Sequence, residues 1–308
     1  MDKILPGTAH GVLSFIRQRW ADLLQVSLLP MAIIAAIAAA QFLAMRPLFS
    51  SFFDMAASGQ VDPRMIGRLM QFYGFIALAG LVSMLAFAWL YVRIVRLYAL
   101  DENYWVGLDG AVVKATLMTA VYGIGVFLLT FLVYIAAAIV FAILIAIMGA
   151  IAASGGGSRW IGALAAILMF PIVLALPLFL LWFFCRFMVG LPAVALGRSP
   201  DFFSEMWALS KGETWGVPLR LLFGFLIFFV IAIPVMVLAM WPTISEISEL
   251  AKTAEGGGPP PGPEMFETMM NRMAPVQIAM LVIQIPFVWY STLIFAEAYR
   301  RFTAKRRP

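Results

Sequence analysis

One histidine and one cysteine limit the side-chain chemistry open to this 308-residue chain. Cys185 alone excludes an intrachain disulfide, a cysteine zinc site and an iron–sulfur cluster. His10 alone leaves a single imidazole, so we expect no metal and no cofactor. His10 shares an amphipathic stretch with Arg17 and Arg19, which suits a headgroup contact better than a general base. Cys185 has no histidine or positioned acid beside it in sequence and reads as an unreactive thiol. Gly155–Gly157 is not followed by Lys-Ser or Lys-Thr, so it is no phosphate loop. Asp101, Glu102 and Asp109 are too few for a metal site and read as a solvated acidic patch. This inventory points away from an enzyme.

Arginines and amides remain. Arg93, Arg96, Arg186, Arg300 and Arg301 each follow an apolar, aromatic-rich run. Two readings stand: arginines that snorkel to the interface, or a basic ring contacting lipid phosphates or the acidic face of a partner. Glu297 lies three and four residues before Arg300 and Arg301, the spacing of helical ion pairs. Gln277, Gln284 and Ser291 stand seven apart and share one helix face. They either hydrogen-bond between helices or form a polar strip in a cavity. With Gln25, Gln41 and Thr292 they are the main polar groups in the apolar runs. No acidic chain crosses these apolar runs, which argues against a conventional proton pump.

The elements that carry these residues are set by hydropathy. Hydrophobic residues make up 63% of the chain and charged residues 12%, with a mean hydropathy of +0.97. Soluble domains average roughly 45–50% apolar and about 25% charged residues. A bilayer core of about 30 Å needs roughly 20 apolar residues as helix. Six runs qualify: Leu23–Met45, Phe72–Tyr98, Ala115–Met148, Ile161–Leu196, Leu219–Trp241 and Val276–Ala298. The third and fourth exceed one crossing, so the third is expected to tilt or project. Pro30, Pro171, Pro177, Pro234 and Pro286 fall inside runs and are expected to bend them. The runs are apolar on all sides, unlike the alternating strands of a membrane barrel. The expected fold is therefore all-α: one polytopic membrane domain of six transmembrane helices.

Lys and Arg orient it. With the N terminus inside, 15 of the 21 fall on inner segments and 6 on outer ones. The positive-inside rule then puts both termini in the cytoplasm. The same bias explains the net charge of +5 without nucleic acid. No removable signal peptide is read after Met1.

The connections differ. Leu48–Gln71 reads as a polar outer loop with a short surface helix at Arg64–Met70. The outer loop at 242–274 centres on Glu255–Pro263, rich in Gly and Pro, flanked by segments that read as short helices resting on the outer leaflet or capping the bundle. On the inner side, Gly11–Asp22, Trp105–Lys114 and Asp201–Trp215 read as amphipathic interfacial helices before spans one, three and five. The return spans end in aromatics followed by arginine, as at Phe87–Arg93, Leu181–Arg186 and Val288–Arg301, which marks the cytoplasmic interface. Together these suggest three repeats of one hairpin unit: 1–104, 105–198 and 199–308.

Ser204–Trp215 and the apolar helix after it carry a resemblance. With Leu191-Pro192-Ala193 and Tyr299-Arg300-Arg301-Phe302, this run resembles the bacterial membrane domain associated with glycerophosphoryl diester phosphodiesterases. Glu213 stands where that group often has asparagine. The resemblance implies a six-helix protein of the bacterial inner membrane. It does not imply phosphodiesterase activity, because the hydrolase barrel of those fusions has no counterpart here.

The expected function is non-enzymatic: binding or moving a lipid or other amphiphile, with membrane lipids as partners. The alternative is a structural or accessory subunit docked on another membrane protein.

Overall fold

The computed structural model describes residues 8–58, 63–103, 109–154, 175, 177–198, 204–209, 215–255 and 263–304. The glycine turn at 155–158, the loop at 256–262, the first half of span four with Pro171, and residues 210–214 of the Trp-rich motif lie outside this set. So does the side chain of His10.

Among the described residues all regular structure is helical. The elements are α1 (Thr8–Gln18), α2 (Trp20–Ser58), α3 (Pro63–Leu100), α4 (Gly110–Ser154), α5 (177–188), α6 (Leu191–Ala195), α7 (Ser204–Leu209), α8 (Gly216–Glu255) and α9 (Pro263–Ala304). Six segments are long and apolar enough to cross a membrane: the five long helices, and the segment from α5 through α6. The chain is a multi-pass membrane protein.

Several expected boundaries differ. The loop expected at Leu48–Gln71 is largely helix, because α2 runs to Ser58 and α3 starts at Pro63. The flanks of the outer loop at 242–274 are likewise continuous with α8 and α9. Neither Pro242 nor Pro275 ends its helix; each forfeits one backbone hydrogen bond while propagation continues on both sides. Span four, expected over Ile161–Leu196 with breaks at Pro171 and Pro177, also breaks at Val189–Gly190 and resumes as α6. Pro192, in the first turn of α6, cannot donate the bond that would join the two pieces. No separate helix precedes span three at 109–114. Asp109 starts α4 directly, its Oδ1 accepting the Val112 N–H at 2.6 Å.

Both termini of the described chain lie at one end of the bundle, called basal here. The core is concentrated there. Leu23 and Val26 of α2, Leu90, Ile94 and Leu97 of α3, and Leu293 of α9 are all fully enclosed. Toward the distal end the helices lose protein neighbours. On α4, Val126 is buried, but Phe127, Phe131, Ile135, Ile139 and Ile143 are exposed. Such apolar faces suit lipid, which competes with protein for them on equal terms.

α3 and α9 pack centrally. α2 leans on both, α8 pairs with α9, and α4 lies against α3 and α6. α1 turns Val12, Phe15 and Ile16 onto this core, with Phe15 edge-on to Tyr98 at 4.9 Å. Gly224 permits the close α8–α9 approach: a Cβ there would lie 2.6 Å from Cδ1 of the Tyr290 ring. Tyr290 is held by its hydroxyl, which donates to the Arg220 carbonyl at 3.1 Å.

Gly224→Ala is expected to destabilise the protein by about 1–3 kcal/mol through overpacking. Thermal unfolding in detergent measures it, and adding Tyr290→Leu should recover most of the loss.

Candidate functional site

Polar residues gather in two places, the basal end and a distal gap between α2 and α9. At the basal end Glu297 on α9 is buried, 5% exposed. It accepts hydrogen bonds from the Tyr98 hydroxyl, from Arg300 at 2.8 Å and from Arg301 at 3.0 Å. The spacing-based expectation of an ion pair is met, and Tyr98 adds a link to α3. Around it, Arg96 grips Glu102 through two bonds of 2.6 and 3.0 Å. Arg19 bridges Asp22 and Asp101, and Asn103 donates to Asp22 at 2.7 Å. Asp101 adopts a left-handed φ of 57°, which short polar side chains tolerate, and turns the chain back onto these partners. The acidic patch is solvated at Asp101 and Asp109, as expected, and its members also have partners: Asp101 and Glu102 pair with arginines, and Asp109 caps the start of α4.

The five arginines differ in their partners. Arg96, Arg300 and Arg301 are engaged with carboxylates. Arg93 and Arg186 are buried against indoles one helical turn earlier, Trp89 at 5.7 Å and Trp182 at 4.4 Å. Trp207 of α7 closes on Arg186 from another side at 4.2 Å. Trp89, Trp289 and Tyr290, expected at the water interface, are enclosed by the bundle. Their bulk fills the core between helices. The polar atoms of Trp289 and Tyr290 find protein partners there, which removes the need for interfacial water.

Trp289 makes the link that defines the second site. Its Nε1 donates to Ser27 Oγ at 2.8 Å, and Ser27 donates in turn to the Leu23 carbonyl at 2.6 Å. This joins α9 to α2 near their basal ends. Toward the distal end a cavity of about 320 Å³ opens between the two helices. Among the described residues its walls are Ala38, Gln41, Phe42 and Met45 from α2, and Gln277, Met280, Leu281 and Gln284 from α9. Both sets follow the spacing i, i+3, i+4, i+7 of one helix stripe. Counting at about 1.5 Å per residue, the outermost glutamines lie about 18–21 Å from the Ser27–Trp289 bond. That depth is within the apolar spans of both helices.

Gln277 and Gln284 line the cavity, as a polar strip on span six predicts. Ser291 does not; it sits basal to the cavity and donates to the Val288 carbonyl of its own helix at 3.1 Å. Sequence reading missed the contribution of α2. The signal was present, because residues 38, 41, 42 and 45 repeat the spacing of 277, 280, 281 and 284. Nothing in the sequence says that these two stripes face each other.

Ser27→Ala removes the acceptor of a buried indole. We expect a loss of about 1 kcal/mol, read as a lower Tm, with Ser27→Thr retaining most of the stability.

No protein-family profile matches this chain, and no curated protein or solved structure matches it either.

Proposed function

We propose that this chain is a non-enzymatic protein of the bacterial inner membrane, with both termini cytoplasmic, that binds an amphiphile between α2 and α9. One observation carries the reading: Gln41 and Gln284, with Gln277 at the end of its apolar span, line a cavity between two helices that is otherwise apolar among the described residues. An amide in hydrocarbon without a partner costs several kcal/mol, because no water is present to satisfy it. Among the described residues no group hydrogen-bonds these three amides. A ligand with its own donors and acceptors would remove that cost.

The lining also selects the ligand. Among the described residues no ionisable side chain contributes to the wall. A charged group at this depth would be uncompensated, so the bound polar part is an uncharged hydroxyl, ester or amide. A volume of about 320 Å³ is at the small end of ligand pockets, which run from about 300 to 1,000 Å³. It admits the polar part and the first carbons of a chain; the remaining chain lies along the exposed apolar helix faces.

The test is purification in native-lipid particles followed by mass spectrometry of whatever copurifies. A neutral amphiphile should be retained stoichiometrically. Gln41→Leu with Gln284→Leu should lower its retention about tenfold, the effect of losing about 1.4 kcal/mol of hydrogen bonding, with Tm unchanged or higher. Equal retention by the variant would sink the reading. A stoichiometric protein partner with no enriched amphiphile would favour the accessory-subunit alternative.

A further inference from the structure

The basal arginines fall into two groups by what balances their charge. Arg19, Arg96, Arg300 and Arg301 each meet a carboxylate within 3.0 Å. Arg186 meets none among the described residues. Yet it is as enclosed as a core residue, 8% exposed. Its guanidinium carbon lies 4.4 Å from the centre of the Trp182 ring and 4.2 Å from that of Trp207. The two indoles stand nearly perpendicular, at 84°, and form a corner around it. Trp215 continues the wall beyond Trp182, and Phe187 continues it beyond Trp207.

Cation–π contact compensates part of the charge. It does not serve the N–H donors. A guanidinium carries five of them in its plane, directed outward from the edge. The Nε of Arg186 is enclosed without a hydrogen-bond partner among the described residues. No described residue hydrogen-bonds the outward Nη donors either, and on a stacked guanidinium these are the groups that can bind a phosphate.

Location narrows the source. Arg186 lies near the basal end of α5, close to where the chain leaves the helix at Val189. Trp207 and Trp215 remain substantially exposed beside it. Exposed indoles at a helix end are the side chains that settle at headgroup level.

We propose that Arg186, cornered by Trp182 and Trp207, is a receptor for a phosphate anion at the basal face, distinct from the neutral cavity between α2 and α9. A phosphodiester lipid headgroup and free inorganic phosphate share this chemistry.

Two arms distinguish them, both using the full chain. In the first, the protein is reconstituted in phosphatidylcholine vesicles doped with phosphatidylglycerol, extracted mildly, and its retained lipid weighed by mass spectrometry. In the second, inorganic phosphate is titrated into detergent-solubilised protein while tryptophan fluorescence is followed. Phosphatidylglycerol enrichment that falls about tenfold in Arg186→Met, is partly kept in Arg186→Lys and persists in Arg17→Ala supports a lipid-fed site. A saturable fluorescence change with phosphate, absent in Arg186→Met and without lipid enrichment, supports the same site fed from solution. The wild-type protein alone supplies a check that does not depend on a variant folding: phosphatidylglycerol or phosphate should raise its Tm. The proposal is overturned if the wild type shows no preference in either arm, or if Arg186→Met and Arg17→Ala behave like the wild type. Loss of the neutral amphiphile in the glutamine variants leaves this outcome untouched, so the two readings fail separately.

Discussion

A carboxylate buried among apolar helices must be neutralised by protein, and the basal end of this molecule is organised around that requirement. Glu297 is enclosed on α9 and draws the Tyr98 hydroxyl from α3 and two arginines from its own helix. Tyr98 in turn receives the edge of Phe15 from α1. One acid thus connects three elements. Spanning helices gain little by hiding from lipid, so polar cross-links and close packing must select their neighbours. Trp289–Ser27 and Tyr290–Arg220 extend the same logic to α2 and α8.

Concentrating these links at one end has a consequence at the other. Beyond Val126 on α4 the described side chains largely face outward. Between α2 and α9 the loss of cross-links leaves a gap instead of a seam, and the gap is where the three glutamines meet. Basal cohesion and distal opening come from one uneven distribution of polar contacts. The proposed phosphate receptor belongs to the cohesive end, where aromatic residues hold a cation that no carboxylate among the described residues pairs.

Much of the architecture could be read from hydropathy and charge: an all-helical membrane chain, six crossings and an α4 longer than one bilayer. The Glu297 pairing was legible because it is local, set by three- and four-residue spacing on one helix. Helix ends were less legible. Polar composition at 48–71 and 242–274 suggested loops, but polar residues with good helix propensity simply prolong a helix that already has a nucleus. The reverse occurred at Gly190–Pro192, where the apolar run, expected to break at Pro171 and Pro177, has a further break.

Residues on one helix are placed relative to each other by its 3.6-residue period, and so the sequence by itself determined the spans, the shared face of Gln277 and Gln284, and the ion pair at Glu297. Residues on different helices have no such relation. Whether Gln41 faces Gln284, whether Trp207 reaches Arg186, and whether Trp289 points to water or to Ser27 depend on helix rotation and crossing. Those are set by the packing of the whole bundle, and only the tertiary structure decided them.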